Sequence, residues 1–141
     1  MGRFRTLEEA RAFAGRDRYA ALTGITVDAL GEDWCECSME LRPEHRNGFG
    51  EVMGGAIFTL GDLAFAVAAN NLHEPTVGQH VSIDFLSTAR GDRLIARAQC
   101  RRNGRNLCVF NISITDDTGR DVAQYIATGF KLVPREQGKA D

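Results

Sequence analysis

The chain lacks a strong charge of either sign. Its formal net charge of −2 gives no general attraction for nucleic acid, so no nucleic-acid partner is expected. It also lacks metal-ligand spacing: the cysteines form no CxxC pair and no Cys/His cluster at zinc distance, and no metal site is expected. Cys35 and Cys37 share a face of a strand-like run, Cys100 and Cys108 flank an expected turn, and all four read as buried reduced thiols. The N-terminal MGRFRTLEEARAF has scattered charges and no continuous apolar core, unlike a signal peptide. No apolar run reaches the ~20 residues of a membrane span; the longest, Gly54 to Ala69, is shorter and broken by Asp62. Apolar content of 43% and charged content of 26% are ordinary for a globular protein. The expectation is a single soluble cytoplasmic domain over residues 1–141, with no membrane partner.

Polar residues are scarcest where the chemistry is most suggestive. From Ala56 to Ala69 the only side chains that are neither apolar nor glycine are Thr59 and Asp62. A helix apolar on every face is expected to be buried. An unpaired buried carboxylate costs several kcal/mol unless hydrogen bonds or a shifted pKa offset it, and such groups cluster at functional sites. Asp62 is therefore the leading candidate for chemistry.

The remaining pattern is an α+β succession. Leu7, Ala10, Phe13 and Ala14 are spaced for an amphipathic helix over Leu7 to Tyr19, a lead-in occupying roughly residues 1–20. Strand signals follow at Ile25–Leu30 and Trp34–Leu41, joined by the hairpin residues Gly31-Glu32-Asp33. Arg42 to Met53 reads as a loop into the apolar helix, which His73-Glu74-Pro75 closes. Alternation then marks strands at Val81–Phe85, Arg93–Arg101, Asn106–Thr115 and Asp121–Val133. Asn103-Gly104 signals a type I′ turn and Asp117-Thr118-Gly119 a second turn. A twisted antiparallel sheet of five or six strands can enclose only part of an all-apolar helix, so a second copy of the chain is expected to cover the rest.

The run HRNGFGEVMGGAIFTLGDLAFAVAANN, followed by VSIDFLSTARGDRLIARAQCRRNGRN, resembles the hotdog-fold acyl-coenzyme A thioesterases of the phenylacetate-pathway type, over roughly Tyr19 to Val133. The resemblance implies a long central helix wrapped by an antiparallel sheet, assembly as homodimers and homotetramers, and hydrolysis of acyl- or aryl-coenzyme A thioesters. Coenzyme A is then part of the substrate and no separate cofactor is expected. The resemblance also implies Asp62 as general base or nucleophile, the Gly54 amide as oxyanion donor, and Asn47 as a polar group positioning water or thioester. Met53 and Gly55 would border the substrate, and the turn Gly104-Arg105-Asn106-Leu107 would border the coenzyme channel.

Physical chemistry agrees with these roles. Negative charge develops on the thioester oxygen, and free amides at a helix N-terminus stabilise it. A carboxylate can deprotonate water or attack the carbonyl itself. Gly54 and Asp62 stand eight positions apart (62 − 54), or roughly 12 Å along one helix axis, too far to serve one carbonyl. Antiparallel helices in a dimer would bring Asp62 of one chain to Gly54 of the other, as in the family's composite sites, with Gly61 permitting close approach. Met53 departs from the family pattern, which commonly has histidine there, and removes a hydrogen-bond donor.

Blander readings stand beside these. Asp62 could hold a neighbouring loop, Asn47 could shape its own turn, Gly54 and Gly55 could make a tight helix start, and Arg101, Arg102 and Arg105 could be a solvated hairpin tip. His45 reads as a loop or supporting residue, and His73 and His80 as incidental. The functional alternatives are a non-catalytic acyl-coenzyme A or aromatic-ligand binder, motivated by Met53, and a hotdog dehydratase or hydratase.

Overall fold

Alternating side chains build the sheet. The computed structural model describes residues 2–135; residue 1 and residues 136–141 of the expected domain lie outside the described residues. Strands β1 (Ile25–Leu30), β2 (Trp34–Glu40), β3 (Thr76–Phe85), β4 (Arg93–Asn103), β5 (Leu107–Asp116) and β6 (Asp121–Lys131) form one antiparallel sheet in the order β1-β2-β4-β5-β6-β3. Inward positions of paired strands carry the core: Cys37 opposite Ala96, Ala96 opposite Ile114, and Ile112 opposite Tyr125. The long helix α3 (Gly54–Leu72) lies across this face, and its Phe65 meets Phe110 edge-on at 5.6 Å. This is the expected hotdog arrangement of a six-stranded sheet on one long central helix.

Local chemistry divides the lead-in differently from expectation. Helix α1 spans Leu7–Ala14 and a separate α2 spans Arg18–Thr23, so Tyr19 belongs to the second helix. The break follows from caps: Gly15 takes the C-cap, and the Asp17 carboxylate restarts the helix by accepting from the Ala20 amide at 2.9 Å.

Strand β3 also begins earlier than expected, at Thr76, because Gly78, Gln79 and His80 lack alternation. It lies at the sheet edge, where its side chains are mostly exposed and the apolar pattern is weak. The Asn103-Gly104 turn is not type I′. That turn needs positive φ at both central residues, and among the described residues only Gly24, Gly50 and Gly119 have positive φ. Here Gly104 donates to Leu107 O at 2.8 Å, with Arg105 and Asn106 inside the loop. The turn at Gly119, φ 86°, is borne out.

The helix is covered on one side only. With 19 residues it matches a membrane span by length and composition, yet 61% of its apolar window is buried inside the fold. Gly55, Phe58 and Asp62, three and four residues apart, form a stripe that the described residues leave open. Asp62 is therefore exposed in the single chain, against the expectation of burial. Gly61 also differs from expectation. It faces the sheet, where an added Cβ would lie 3.2 Å from Tyr125 Cδ2 and 3.3 Å from Ile114 Cδ1. Its missing side chain admits the tyrosine ring beneath the helix.

Candidate active site

The start of α3 is held from both sides. His45 is buried, with Nδ1 accepting from the Arg42 amide at 2.9 Å and Nε2 meeting Thr23 O at 2.8 Å, which selects the Nε2–H tautomer. Its carbonyl accepts from the Met53 amide at 2.8 Å. A buried histidine thus aligns the residue preceding the helix, the supporting part expected of His45. On the other side, Asn47 Oδ1 accepts from the amides of Phe49 at 2.9 Å and Glu51 at 3.1 Å. These bonds close the turn that brings Arg46 opposite Val52. Asn47 therefore does shape its own loop, while its side-chain N–H groups remain available as donors.

Those constraints present two free amides. Met53 is the N-cap and supplies no side-chain cap; Ala56 and Ile57 already donate to its carbonyl at 3.0 and 3.3 Å. The Gly54 and Gly55 amides make no hydrogen bond among the described residues. Gly54 borders a cleft of about 490 Å³ with Asn47, Glu51, Phe85, Ser87 and Ala89. A Cβ on Gly54 would stand 3.1 Å from Phe85 Cζ, so glycine keeps this part of the cleft open. An oxygen acquiring negative charge there would meet N–H groups at the positive end of the helix dipole.

The far wall of the cleft depends on a carboxylate that sequence reading missed. Asp116 is 1% exposed. Its Oδ2 accepts from the amides of Arg90 at 2.8 Å and Gly91 at 3.2 Å. Its Oδ1 accepts from the Thr118 amide at 2.9 Å, the Thr118 hydroxyl at 2.5 Å and the Arg120 amide at 3.1 Å. Burial alone would raise this carboxyl's pKa; the Thr118 hydroxyl and the surrounding amides more than reverse that and hold it well below the usual range. The Arg120 side chain then donates to Ser87 Oγ at 3.0 Å, tying the pinned turn to the cleft wall. The sequence signal was a second aspartate beside the Asp117-Thr118-Gly119 turn.

Asp62 lies elsewhere, two turns along α3 on the open stripe and outside the lining of the cleft. Its pKa is raised, first by desolvation and then by the like charge of Asp17, with Tyr125 opposing the shift. The Tyr125 hydroxyl is buried and makes no hydrogen bond of acceptable geometry among the described residues. Leaving such a group unsatisfied costs about 1–3 kcal/mol. Asp62 acts on it strongly: desolvation and then the Asp62 charge raise the phenol pKa. Tyr125 was missed because its strand position reads as ordinary core, between inward-facing Ala123 and Ala127.

The third group of candidates occupies the opposite end of the sheet. Lys131 pairs with Thr76 at the start of β3, whereas Phe85, which lines the cleft, ends that strand. At the Lys131 end, Nζ donates to Asn103 Oδ1 and, at 2.6 Å, to Gly104 O. Exposed Arg101, Arg102 and Arg105 complete a basic tip with exposed Asn106 and Leu107. One chain thus brings Asn47 and Gly54 together and keeps Asp62 and the 104–107 turn apart from them. Met53, 56% exposed, and Gly55 stand beside the cleft without lining it.

Comparison with known proteins decides the family. Residues 49–123 match the family model described as Thioesterase superfamily, and the matched stretch includes both Gly54 and Asp62. The chain belongs to the thioesterase superfamily. It is 32% identical over 134 residues to "Acyl-coenzyme A thioesterase PaaI" of Escherichia coli K12, covering 94% of this chain and 96% of that relative. To mouse "Acyl-coenzyme A thioesterase 13" it is 26% identical over 114 residues, 78% of this chain and 80% of the other. The solved E. coli PaaI structure superposes with a TM-score of 0.84 at 30% identity, covering 89% of this chain and 92% of that one. Membership of the thioesterases bears out the fold and the enzyme class expected from the sequence.

Proposed function

We propose that this thioesterase hydrolyses acyl- or aryl-coenzyme A thioesters in a site shared by two chains. The reading rests chiefly on one observation: free amides at the start of α3 and a carboxylate on the open stripe of the same helix, which one chain keeps apart. Two relatives bearing acyl-coenzyme A thioesterase names support the substrate class. In a two-fold dimer with antiparallel α3 helices, the stripe is covered and Asp62 of one chain faces Gly54 of the other. The thioester carbonyl sits in the Gly54 cleft, with Asn47 donating to the carbonyl or to water. Asp62 takes a proton from water as it adds to the carbon, or attacks that carbon itself. The C–S bond then breaks, and the coenzyme thiolate leaves and takes up a proton; on the second route water then hydrolyses the acyl–Asp62 anhydride, freeing the acid and restoring the carboxylate.

Other features fit the same assembly. The partner's turn, carrying the counterparts of Gly104 to Leu107, offers cations for the coenzyme phosphates. Exposed Val77, Leu107 and Phe130 occupy neighbouring outward positions on β3, β5 and β6, with exposed Ile126 further along β6, a surface suited to pairing dimers into a tetramer. Four free cysteines suit a reducing cytoplasm. Met53 favours one competing reading, a binder without turnover, because its side chain donates no hydrogen bond at the helix start.

Thiol release from a panel of acyl- and aryl-coenzyme A substrates separates the two. Wild type should turn over at least one of them, and Asp62→Asn should lower kcat by about 10³-fold. Binding without release by wild type would establish the binder. Gly54→Pro tests sharing, because proline at the first helical position removes the amide and is tolerated there. Neither variant alone should be active, but randomly mixed subunits should recover about a quarter of wild-type activity, since half the dimers carry one intact site of two. Exchange of subunits without recovery would sink the shared site.

A further inference from the structure

Tyr125 is placed where a structural tyrosine would be badly served. Its ring is wedged under α3: Gly61 leaves room for it, Ile114 lies on the same side, and Phe58 meets it at 5.2 Å with an interplanar angle of 57°. The residue is 1% exposed, its hydroxyl makes no well-formed hydrogen bond among the described residues, and the side chain that acts on that hydroxyl is the Asp62 carboxylate. Phe58 and Asp62 belong to the open stripe, and Gly61 directly precedes the carboxylate, so the ring passes beneath the helix at the position of Asp62. A buried phenol beside a carboxylate that no other donor serves among the described residues has one evident use.

We propose that Tyr125 is a positioning residue of the thioesterase site, donating a hydrogen bond to Asp62 once a second chain covers the stripe and excludes water. This rests on the reading of Asp62 as the catalytic carboxylate. A phenol held by one oxygen of Asp62 leaves the other oxygen for water or the thioester carbon. It also stops the carboxylate from rotating between equivalent orientations, and misplacing a reacting group by about 1 Å can cost 10²-fold in rate. Burial and the Asp62 charge keep the phenol protonated and therefore a donor. The other charged group acting on Asp62 is Asp17, at the N-cap of α2; its like charge opposes ionisation of Asp62, whereas the phenol favours it.

Tyr125→Phe removes only the hydroxyl and keeps the ring under Gly61. The expected result is a fall in kcat of about 10- to 100-fold with KM unchanged within about twofold, because the lost bond orients the carboxylate and not the substrate. The acid limb of the pH–rate profile should move to higher pH, since the ionised form of Asp62 loses its donor. In an Asp62→Asn background the same change should have no further effect on residual turnover. A wild-type kcat and an unmoved acid limb in Tyr125→Phe would overturn the proposal. So would a fall in kcat accompanied by a matching loss of thermal stability and no shift of the limb, which is the mark of a packing role. If Asp62→Asn itself turns over normally, the failure lies with the reading of Asp62, and the two outcomes are distinct.

Discussion

Two aspartates, Asp62 in the middle of α3 and Asp116 at the end of β5, show how the same side chain is used in opposite ways. Asp116 is buried and satisfied by four amides and a hydroxyl, and its pKa falls. Asp62 stands on an exposed stripe, served among the described residues by no amide and opposed in its shift only by the Tyr125 hydroxyl, and its pKa rises through desolvation and the Asp17 charge. Exposure alone would rank them wrongly. The supply of donors decides the matter: a carboxylate saturated with hydrogen bonds holds loops together, and one left with vacant lone pairs is free to take a proton.

Exchanging each carboxylate for its amide tests that division. Asp62→Asn should remove about 10³-fold of kcat and leave resistance to urea intact. Asp116→Asn should do the reverse. An amide at this position places N–H groups against the N–H groups of Arg90 and Gly91 or of Thr118, costing about 2–3 kcal/mol in urea unfolding, with a smaller effect on kcat through the loosened Ser87 wall. If both variants lose activity and stability in equal proportion, the two aspartates do not differ as described.

Acidification separates them without mutation. Asp116 has a folded pKa below its unfolded value, so its contribution to stability is present above the ordinary aspartate range and is lost as pH falls through the folded value. Asp62 has a raised folded pKa. Its contribution has the opposite sign, present below the ordinary aspartate value and lost as pH rises through the raised one. Turnover should therefore fail on the acid side while the fold persists, because Asp62 is protonated before Asp116. Thiol release and circular dichroism over the same pH series check this. Coincident loss of activity and structure would contradict it. In Asp62→Asn the thermal midpoint at neutral pH should be equal to or above that of wild type, because the ionised carboxylate at this site opposes stability.

The sequence carried much of this and missed the rest for identifiable reasons. The six strands, the long helix and the separation of Gly54 from Asp62 follow from period-2 and near-3.6 patterning, which is local information. What escaped depends on contacts distant in sequence. Asp62 looked buried because its neighbours along the helix are apolar, yet whether a stripe is covered depends on how far the sheet wraps. Asp116 reads as a turn residue until the segment around Arg90, 26 positions away, is seen to use its oxygens. Tyr125 reads as core until its hydroxyl is found beneath Asp62. Asn103-Gly104 favoured a two-residue hairpin locally, but the bulge between Cys100 and Arg102 shifts the register and lengthens the connection.

Gly61→Ala is the smallest and most discriminating of these changes. Alanine gains up to about 1 kcal/mol in helix propensity. Against that, the new Cβ would lie 3.2 Å from the Tyr125 ring and 3.3 Å from Ile114, and both neighbours are almost fully buried, at 1% and 0% exposure. Overpacking of this kind costs about 1–3 kcal/mol, so a net destabilisation of about 1 kcal/mol is expected in urea unfolding. The tyrosine is the neighbour with an open stripe above it, so strain relieved by tilting the ring displaces the hydroxyl beneath Asp62. A small loss of stability joined to a larger loss of kcat would connect helix packing to the carboxylate through Tyr125. A neutral or stabilising alanine with full activity would show that the space under α3 is looser than these distances indicate.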